Sequence, residues 1–201
     1  MEAFIDRILP YVKKWSFSIC MIPFIWILLE QFWLAITTNI LLAVNYPYPF
    51  FIWPVMFVID NVSLIIHEGG HTIFGFFNWR FLTILGGTLL ECLIPFLLFI
   101  STWRNKQITL AQFSLFWLGF TWLEAAAYCS DAQYLNLPLI GGLPKSAHDF
   151  MNLLTMTDLI LYSKEIAWTM YAVAVVCFIG TLLWPLTKRP ELERIHLDLK
   201  L

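Results

Sequence analysis

The chain has 201 residues, of which 60% are hydrophobic, 17% aromatic and only 13% charged, with a formal net charge of −2. Soluble domains carry about 25% charged residues, so this composition excludes a disordered chain and argues against a soluble globule, whose surface needs more polar side chains. It also argues against a nucleic-acid-binding protein, because no basic stripe is present. We therefore expect one integral membrane domain over residues 1–201, an all-α bundle of about five to six transmembrane helices in a lipid bilayer.

The predicted elements begin with an N-terminal tail or interfacial helix at 1–14. About 20 apolar residues are needed to cross a bilayer, and five stretches meet that length, at 15–37, 50–77, 82–101, 108–127 and 166–186. Between and after them we expect a loop or re-entrant segment at 38–49, a Gly- and Pro-rich connection at 128–150, a sixth candidate span at 151–162 and a charged tail at 187–201. Basic residues near both chain ends favour a cytoplasmic location for each, which requires six spans, or four spans and a re-entrant segment.

The second apolar stretch contains the sequence His67-Glu68-Gly69-Gly70-His71, an HExxH motif. On a helix, His67 and His71 share one face about one turn apart, so the two imidazoles can bind one zinc ion. Zinc lowers the pKa of a bound water toward about 7, and Glu68 is placed to take its proton. Ionisable residues inside a membrane span are energetically costly, and they are therefore rare there without a function. The motif predicts a zinc site with Glu68 as catalytic base, in preference to a polar contact between helices.

Glycines next to the motif indicate close packing. Gly69 and Gly70 each lower helix propensity by about 1 kcal/mol, but they let a neighbouring backbone or an extended substrate approach. Glu91 follows a Gly86-Gly87 pair in the next apolar stretch. Because a tight turn joins the two stretches, Glu91 is a candidate to orient a ligand histidine through its second ring nitrogen. The alternative is a protonated acid, or one hydrogen-bonded between helices.

Two further acids lie in predicted spans. Asp60 precedes His67 by seven residues, which places it on nearly the same helix face but about 10 Å away along the axis. It is either a polar lining residue near the site or an interfacial residue at a helix start. Glu124 lies near the end of the fourth stretch, where a plain polar contact is the simpler interpretation.

A membrane-embedded HExGH sequence, here HEGGH at 67–71, resembles the site-2 protease family of intramembrane zinc metallopeptidases. The resemblance covers roughly residues 55–150, and the HEGGH match is its specific part. It implies that His67 and His71 bind zinc, that Glu68 acts as the base, and that an aspartate from a later membrane segment is the third ligand. It also implies cleavage of peptide bonds within or beside membrane spans.

The third ligand is where the chain departs from the family pattern, which pairs Asn and Pro with a downstream Leu-Asp-Gly. No Leu-Asp-Gly occurs here. Asp131, followed by Asn136-Leu137-Pro138, offers the same residue types in another order and is the predicted third ligand, with His148 and Asp149 as alternatives. The departure indicates either a divergent branch with its own third ligand or a metal-binding protein without peptidase activity.

The leading hypothesis is a zinc metalloprotease acting on membrane-protein or peptide substrates, with the segment at 128–150 lining the water channel that hydrolysis in lipid requires. The small size of the chain suggests a bacterial plasma (inner) membrane. The alternatives are a non-proteolytic metal-binding membrane protein and an assembly or scaffold protein. A transporter is less favoured, because the sequence shows no internal repeat.

Overall fold

A computed structural model describes residues 2–38 and 48–187 of the chain. Within these ranges the chain forms helices and connecting turns without a strand, which confirms the all-α expectation. The helices are α1 (Glu2–Thr38), α2 (Trp53–Gly75), α3 (Arg80–Arg104), α4 (Ile108–Ser130), α5 (Asp149–Met156) and α6 (Ser163–Leu183). Short 3-10 turns occur at Asp131–Gln133, Ile140–Gly142, Lys145–Ala147, Ile160–Tyr162 and Trp184–Thr187.

Among the described residues, three segments are long and apolar enough to cross a membrane, Lys14–Thr38, Arg80–Arg104 and Ile160–Thr187. The expectation of a membrane protein is confirmed at this level. Helix α5 has eight residues, and at 1.5 Å per residue it is about 12 Å long, well short of a hydrocarbon core of about 30 Å. Residues 151–162 therefore form a short helix and a 3-10 turn instead of a sixth span.

The structure describes part of the N-terminal segment and little of the C-terminal one, for which the sequence predicts two tails. Helix α1 begins at Glu2, so the stretch predicted as a tail at 1–14 is continuous with the first span from residue 2 onward. The loop expected at 38–49 and the charged tail expected at 187–201 lie largely outside the described residues. The basic residues of that tail lie outside them too, so the cytoplasmic location of both ends stays a prediction.

Helix α4 lies at the centre of the bundle and packs against α1, α3 and α6. Its Phe116 and Phe120 are fully buried and join the apolar core with Phe178 of α6. A buried amide also links three helices, because Nε2 of Gln112 donates to Oγ of Ser18 and to the carbonyl oxygen of Thr181, each at 2.9 Å. An amide buried away from water needs such partners, so this contact fixes how α1 and α6 sit on α4.

Helices α2 and α3 form a tight pair joined by a short turn in which Asn78 has a φ of 52°. Their backbones approach most closely at Gly70 and Gly86, where a Cβ atom on Gly70 would overlap the carbonyl oxygen of Gly86. The expectation that a motif glycine admits a neighbouring backbone is confirmed for Gly70, whereas a Cβ atom on Gly69 would have no neighbour within 4 Å. This crossing brings α3 against the face of α2 that carries both motif histidines.

Candidate metal centre

The imidazoles of His67 and His71 share one face of α2, with ring centroids 4.8 Å apart. Oδ2 of Asp149, at the first position of α5, lies 3.1 Å from Nε2 of His67 and 3.3 Å from Nε2 of His71. Burial alone would raise the pKa of the Asp149 carboxyl, but its contacts with the two imidazoles outweigh burial and lower the pKa. The carboxylate is therefore ionised and is shared between the two inward ring nitrogens.

The outward nitrogens of both rings also have partners. Nδ1 of His67 lies 2.9 Å from Oε2 of Glu91, and Nδ1 of His71 lies 2.9 Å from the carbonyl oxygen of Thr83. These oxygens accept hydrogen bonds, so each Nδ1 carries a proton. The predicted contact between Glu91 and a ring nitrogen of a motif histidine is confirmed, and the role of that histidine as a metal ligand stays a prediction.

This arrangement fits a divalent cation. With the Nδ1 proton of each ring used, Nε2 either donates a second N–H to Asp149, as in a charged imidazolium, or presents a lone pair to a cation held between the ring and the carboxylate. Tetrahedral zinc ligands at about 2.0–2.1 Å lie about 3.3–3.4 Å from one another. The two separations of 3.1 and 3.3 Å are close to that value, and the three ligand atoms all lie within 4.8 Å of one another.

Gly87 of α3 leaves the space beside these nitrogens free. A Cβ atom at this position would lie 2.6 Å from Nε2 of His67 and 2.7 Å from Nε2 of His71. Any larger residue would therefore press on both donor atoms. The Gly86-Gly87 pair thus has two functions, since Gly86 allows the helices to cross and Gly87 keeps the space beside the Nε2 atoms of both rings open.

Glu68, His67, His71 and Asp149 line one cavity of about 560 Å³ between α2, α3, α4 and the connection that follows α4. Glu68 is exposed and makes no bond to either histidine, so its carboxylate is available to a water molecule in the cavity. Part of the wall comes from the irregular segment, including Leu137, Pro138 and Leu143. Residues of 128–150 thus line a cavity beside the two histidines, and its use as a water channel stays a prediction.

Asp131, predicted as third ligand, has other partners in the structure. Its two carboxylate oxygens accept hydrogen bonds from the backbone N–H groups of Asn136 and Leu137, both at 2.9 Å. Oδ2 also lies 3.5 Å from Nε2 of His148. Burial would raise the pKa of this carboxyl, but His148 and the two amides lower it. Asp131 anchors the start of the irregular segment, and the structure does not bring it together with the two motif histidines.

His148, one of the two alternative ligands, is fully buried and stacks on the ring of Tyr128 with centroids 4.1 Å apart. Its Nδ1 accepts a hydrogen bond from the N–H of Met151, which caps α5, while its Nε2 faces Asp131. The N–H of Asp149 in turn donates to the hydroxyl oxygen of Tyr128 at 3.1 Å. His148 and Tyr128 therefore position Asp149, and among the three candidates for third donor Asp149 alone reaches both imidazoles.

Comparisons of the chain with protein-family models, with curated proteins and with solved structures returned no match.

Proposed function

We propose that the protein is an intramembrane zinc metalloprotease that hydrolyses peptide bonds within or beside membrane spans. The observation that carries this proposal is the placement of one Asp149 oxygen 3.1 and 3.3 Å from the inward nitrogens of His67 and His71. Two imidazoles and one carboxylate form a three-ligand set with room for a fourth position, as catalytic zinc sites require. In the proposal, His67, His71 and Asp149 hold the metal.

When bound, zinc would polarise the substrate carbonyl and make a neighbouring water more acidic. Two side chains carry out the proton transfer and the orientation of the ligands. Glu68 follows His67 by one residue, which turns it about 100° around α2 and away from the metal ligands. From the cavity wall it takes a proton from water and delivers it to the departing amine. Glu91 holds the ring of His67 in the tautomer that keeps Nε2 unprotonated.

In the proposal, the cavity lies at membrane depth, between helices that cross the bilayer. Helices α2 and α4 have 23 residues each, about 35 Å at 1.5 Å per residue, which is enough to cross a bilayer. With them the proposal has five spans, which places the two chain ends on opposite sides of the bilayer and replaces the prediction that both are cytoplasmic. The irregular backbone after α4 is tolerated at membrane depth because it borders a water-filled cavity. The substrate is a membrane protein or peptide, and the small chain suits a bacterial plasma membrane.

The proposal agrees with the site-2 protease resemblance in the roles of His67, Glu68 and His71. It differs in the third ligand, because Asp149 follows a buried histidine instead of standing in a Leu-Asp-Gly sequence. In the family pattern and in this proposal alike, the third ligand is an aspartate that follows the motif helix much later in the chain, and it has the same role at the metal. The proposal therefore describes a divergent site with its own third ligand.

The Glu68→Gln variant tests the proposal. The substitution keeps the shape of the side chain but removes its ability to accept the proton from water, so zinc content should remain near one ion per chain while cleavage is lost. The readout is mass spectrometry of a mixture of synthetic single-span peptides incubated with purified protein in detergent. Glu165→Gln, which changes an exposed acid of α6, is the matched control and should cleave like the parent.

Cleavage by Glu68→Gln at the parent rate would refute the role of Glu68. Zinc-loaded parent protein that cleaves no peptide would favour the non-proteolytic metal-binding protein instead. Parent protein purified without zinc, and unable to take it up, would remove both metal hypotheses.

A further inference from the structure

One acid in the membrane-crossing part of α1 faces outward from the bundle. Glu30 lies eight residues before Thr38 and sixteen after Lys14, the two ends of the apolar segment Lys14–Thr38. At 1.5 Å per residue these separations are about 24 Å from Lys14 and about 12 Å from Thr38, so Glu30 lies within a hydrocarbon core of about 30 Å. Glu30 is exposed, and its carboxylate makes no hydrogen bond or ion pair with any described residue.

An acid at this depth requires a polar partner. Ionisable residues in membrane spans are rare, and they almost always face the bundle interior or a water-filled cavity, or pair with one another, because a charge in hydrocarbon is costly. The two methylene groups of the Glu30 side chain are too few for the carboxylate to reach the membrane surface. Since no described residue pairs with Glu30, we expect the partner to come from another molecule.

Glu30 lies in the middle of an exposed stripe along α1. The members of this outer α1 stripe follow one another at alternating steps of four and three residues, and they are Ile19, Pro23, Trp26, Glu30, Trp33 and Thr37. An average step of 3.5 residues is the spacing at which a second helix packs alongside in a left-handed pair, the commonest crossing in membrane bundles. Trp26 is 69% exposed and Trp33 is 52% exposed, so a large ring flanks the carboxylate on each side.

The outer α1 stripe faces away from the cavity that holds the candidate metal centre. Phe32, two residues after Glu30 and therefore about 200° around the helix, lines that cavity, whereas no member of the stripe does. Phe32 is buried and packs edge-on against Phe120 of α4, with ring centroids 6.1 Å apart. Helix α1 thus separates the stripe from the cavity, which favours a partner subunit over a substrate as the occupant.

Charge complementarity indicates which kind of partner fits. The described Lys and Arg residues all lie at or near the ends of the apolar segments or outside them, and residues 39–47 contain neither type. A second copy of the chain therefore offers no cation at the depth of Glu30. A basic side chain in another transmembrane helix supplies one, and it gains from the acid the same relief from burial in lipid.

We propose that the outer α1 stripe binds a transmembrane helix of a partner protein that carries a lysine or arginine at the depth of Glu30. The cation pairs with the carboxylate, and the helix packs against the rings of Trp26 and Trp33. Complementary charges within the bilayer select this helix over apolar ones and fix its depth. The interaction is independent of the proposed peptidase chemistry, because the stripe contributes no residue to the cavity.

The test measures association between helices in a bilayer. Protein in phosphatidylcholine vesicles is mixed with dansyl-labelled single-span Leu/Ala peptides of about 20 residues, and energy transfer from tryptophan reports binding. The peptides form matched pairs with lysine or uncharged norleucine at one position, which is moved along the span. Glu30 lies about 6 Å from the middle of its segment, so we expect at least tenfold tighter association of the lysine peptide when lysine is about four residues from the peptide centre. Glu30→Gln should bring the two affinities together.

Two matched controls separate the stripe from general effects. Glu165→Gln changes an exposed acid in the first turn of α6 and should keep the lysine preference in full. Trp26→Ala should weaken association of both peptides, whereas Trp53→Ala, which changes an exposed ring on α2, should weaken neither. Unchanged circular dichroism of each variant establishes that the bundle persists. If Glu30→Gln fails to fold, the comparison of Trp26→Ala with Trp53→Ala still tests the stripe.

Equal association of lysine and norleucine peptides at every position would overturn the proposal, as would a lysine preference that survives Glu30→Gln. Cross-linking of the protein into a dimer that Glu30→Gln abolishes would assign the stripe to a second copy and overturn it as well. Cleavage of the lysine peptide that depends on Glu30 would make the occupant a substrate, with the same consequence. Absence of any peptidase activity leaves the expected binding unchanged.

Discussion

Oδ2 of Asp149 lies 3.1 Å from Nε2 of His67, although 82 residues separate them in the chain. The contact joins the start of the short helix α5 to the middle of α2. It is held from both sides, by Glu91 behind the imidazole and by Tyr128 at the backbone of Asp149. The donor set is therefore positioned by the fold itself, which lowers the ordering cost of binding a metal ion.

Gly70→Ala should destabilise the protein, because the new methyl group would overlap the carbonyl oxygen of Gly86 and push α2 away from α3. Overpacking of this kind costs about 1–3 kcal/mol, which thermal or denaturant unfolding in detergent can measure. Gly69→Ala is the matched control, since no described atom lies within 4 Å of a Cβ at Gly69. Alanine there should add up to about 1 kcal/mol of helix stability. Equal effects of the two substitutions would contradict the close helix crossing.

Gly87→Ala should impair the metal centre. Its methyl group would lie 2.6 and 2.7 Å from the two Nε2 atoms, so the imidazoles must turn or the helices must separate. We expect weaker zinc binding in competition with a chromophoric chelator, with cleavage reduced in parallel and with near-parental helicity by circular dichroism. A Gly87→Ala protein that binds zinc as tightly as Gly69→Ala would show that the space beside the rings is not needed.

Glu91→Ala should weaken zinc binding without removing a ligand. The substitution takes away the acceptor for Nδ1 of His67, which is 2.9 Å from the carboxylate, so the ring loses its fixed tautomer and orientation. Loss of such a partner typically costs about 10–100-fold in metal affinity or activity. Glu91→Gln retains an acceptor oxygen and should recover part of the affinity. Identical affinities for parent and Glu91→Ala would refute the positioning role.

Stability should depend on pH through Asp131. His148 and two backbone amides lower its folded pKa, whereas the unfolded carboxyl keeps its ordinary pKa of about 3.9. The stabilisation is then complete above that value and is lost as the pH falls through the lower folded pKa. In metal-free protein, the difference in unfolding free energy between parent and Asp131→Asn should be constant near neutral pH and shrink below about pH 4. A difference that stays the same down to pH 3 would contradict this.

Much of α2 was predictable from its sequence. The four-residue spacing of His67 and His71 fixes their common face on any helix, and the glycine next to His71 indicated the close backbone approach. Glu91 was predicted to reach a second ring nitrogen because a tight turn forces α3 to lie beside α2. These predictions succeeded because each depends on helix geometry and on a short connection.

The third donor was not predictable in the same way. The sequence favours Asp131 over Asp149, because Asp131 lies near Asn136 and Pro138 as in the family pattern, yet its oxygens accept hydrogen bonds from the backbone of that same segment. Residues 131–148 are turns without a repeating period, and their path follows from local hydrogen bonds and the burial of His148. A signal was present in the His148-Asp149 pair at the start of a short amphipathic helix, where the capping residue fixes the direction of the next side chain.

Zinc content of four purified proteins tests the central claim most directly, with parent, Asp149→Asn, Asp131→Asn and Glu165→Asn each measured after dialysis against a weak chelator. The account predicts about one zinc per chain in the parent, in Asp131→Asn and in Glu165→Asn, and a loss of most of the metal in Asp149→Asn alone. Metal retained by Asp149→Asn and lost from Asp131→Asn, or no zinc in the parent, would contradict it.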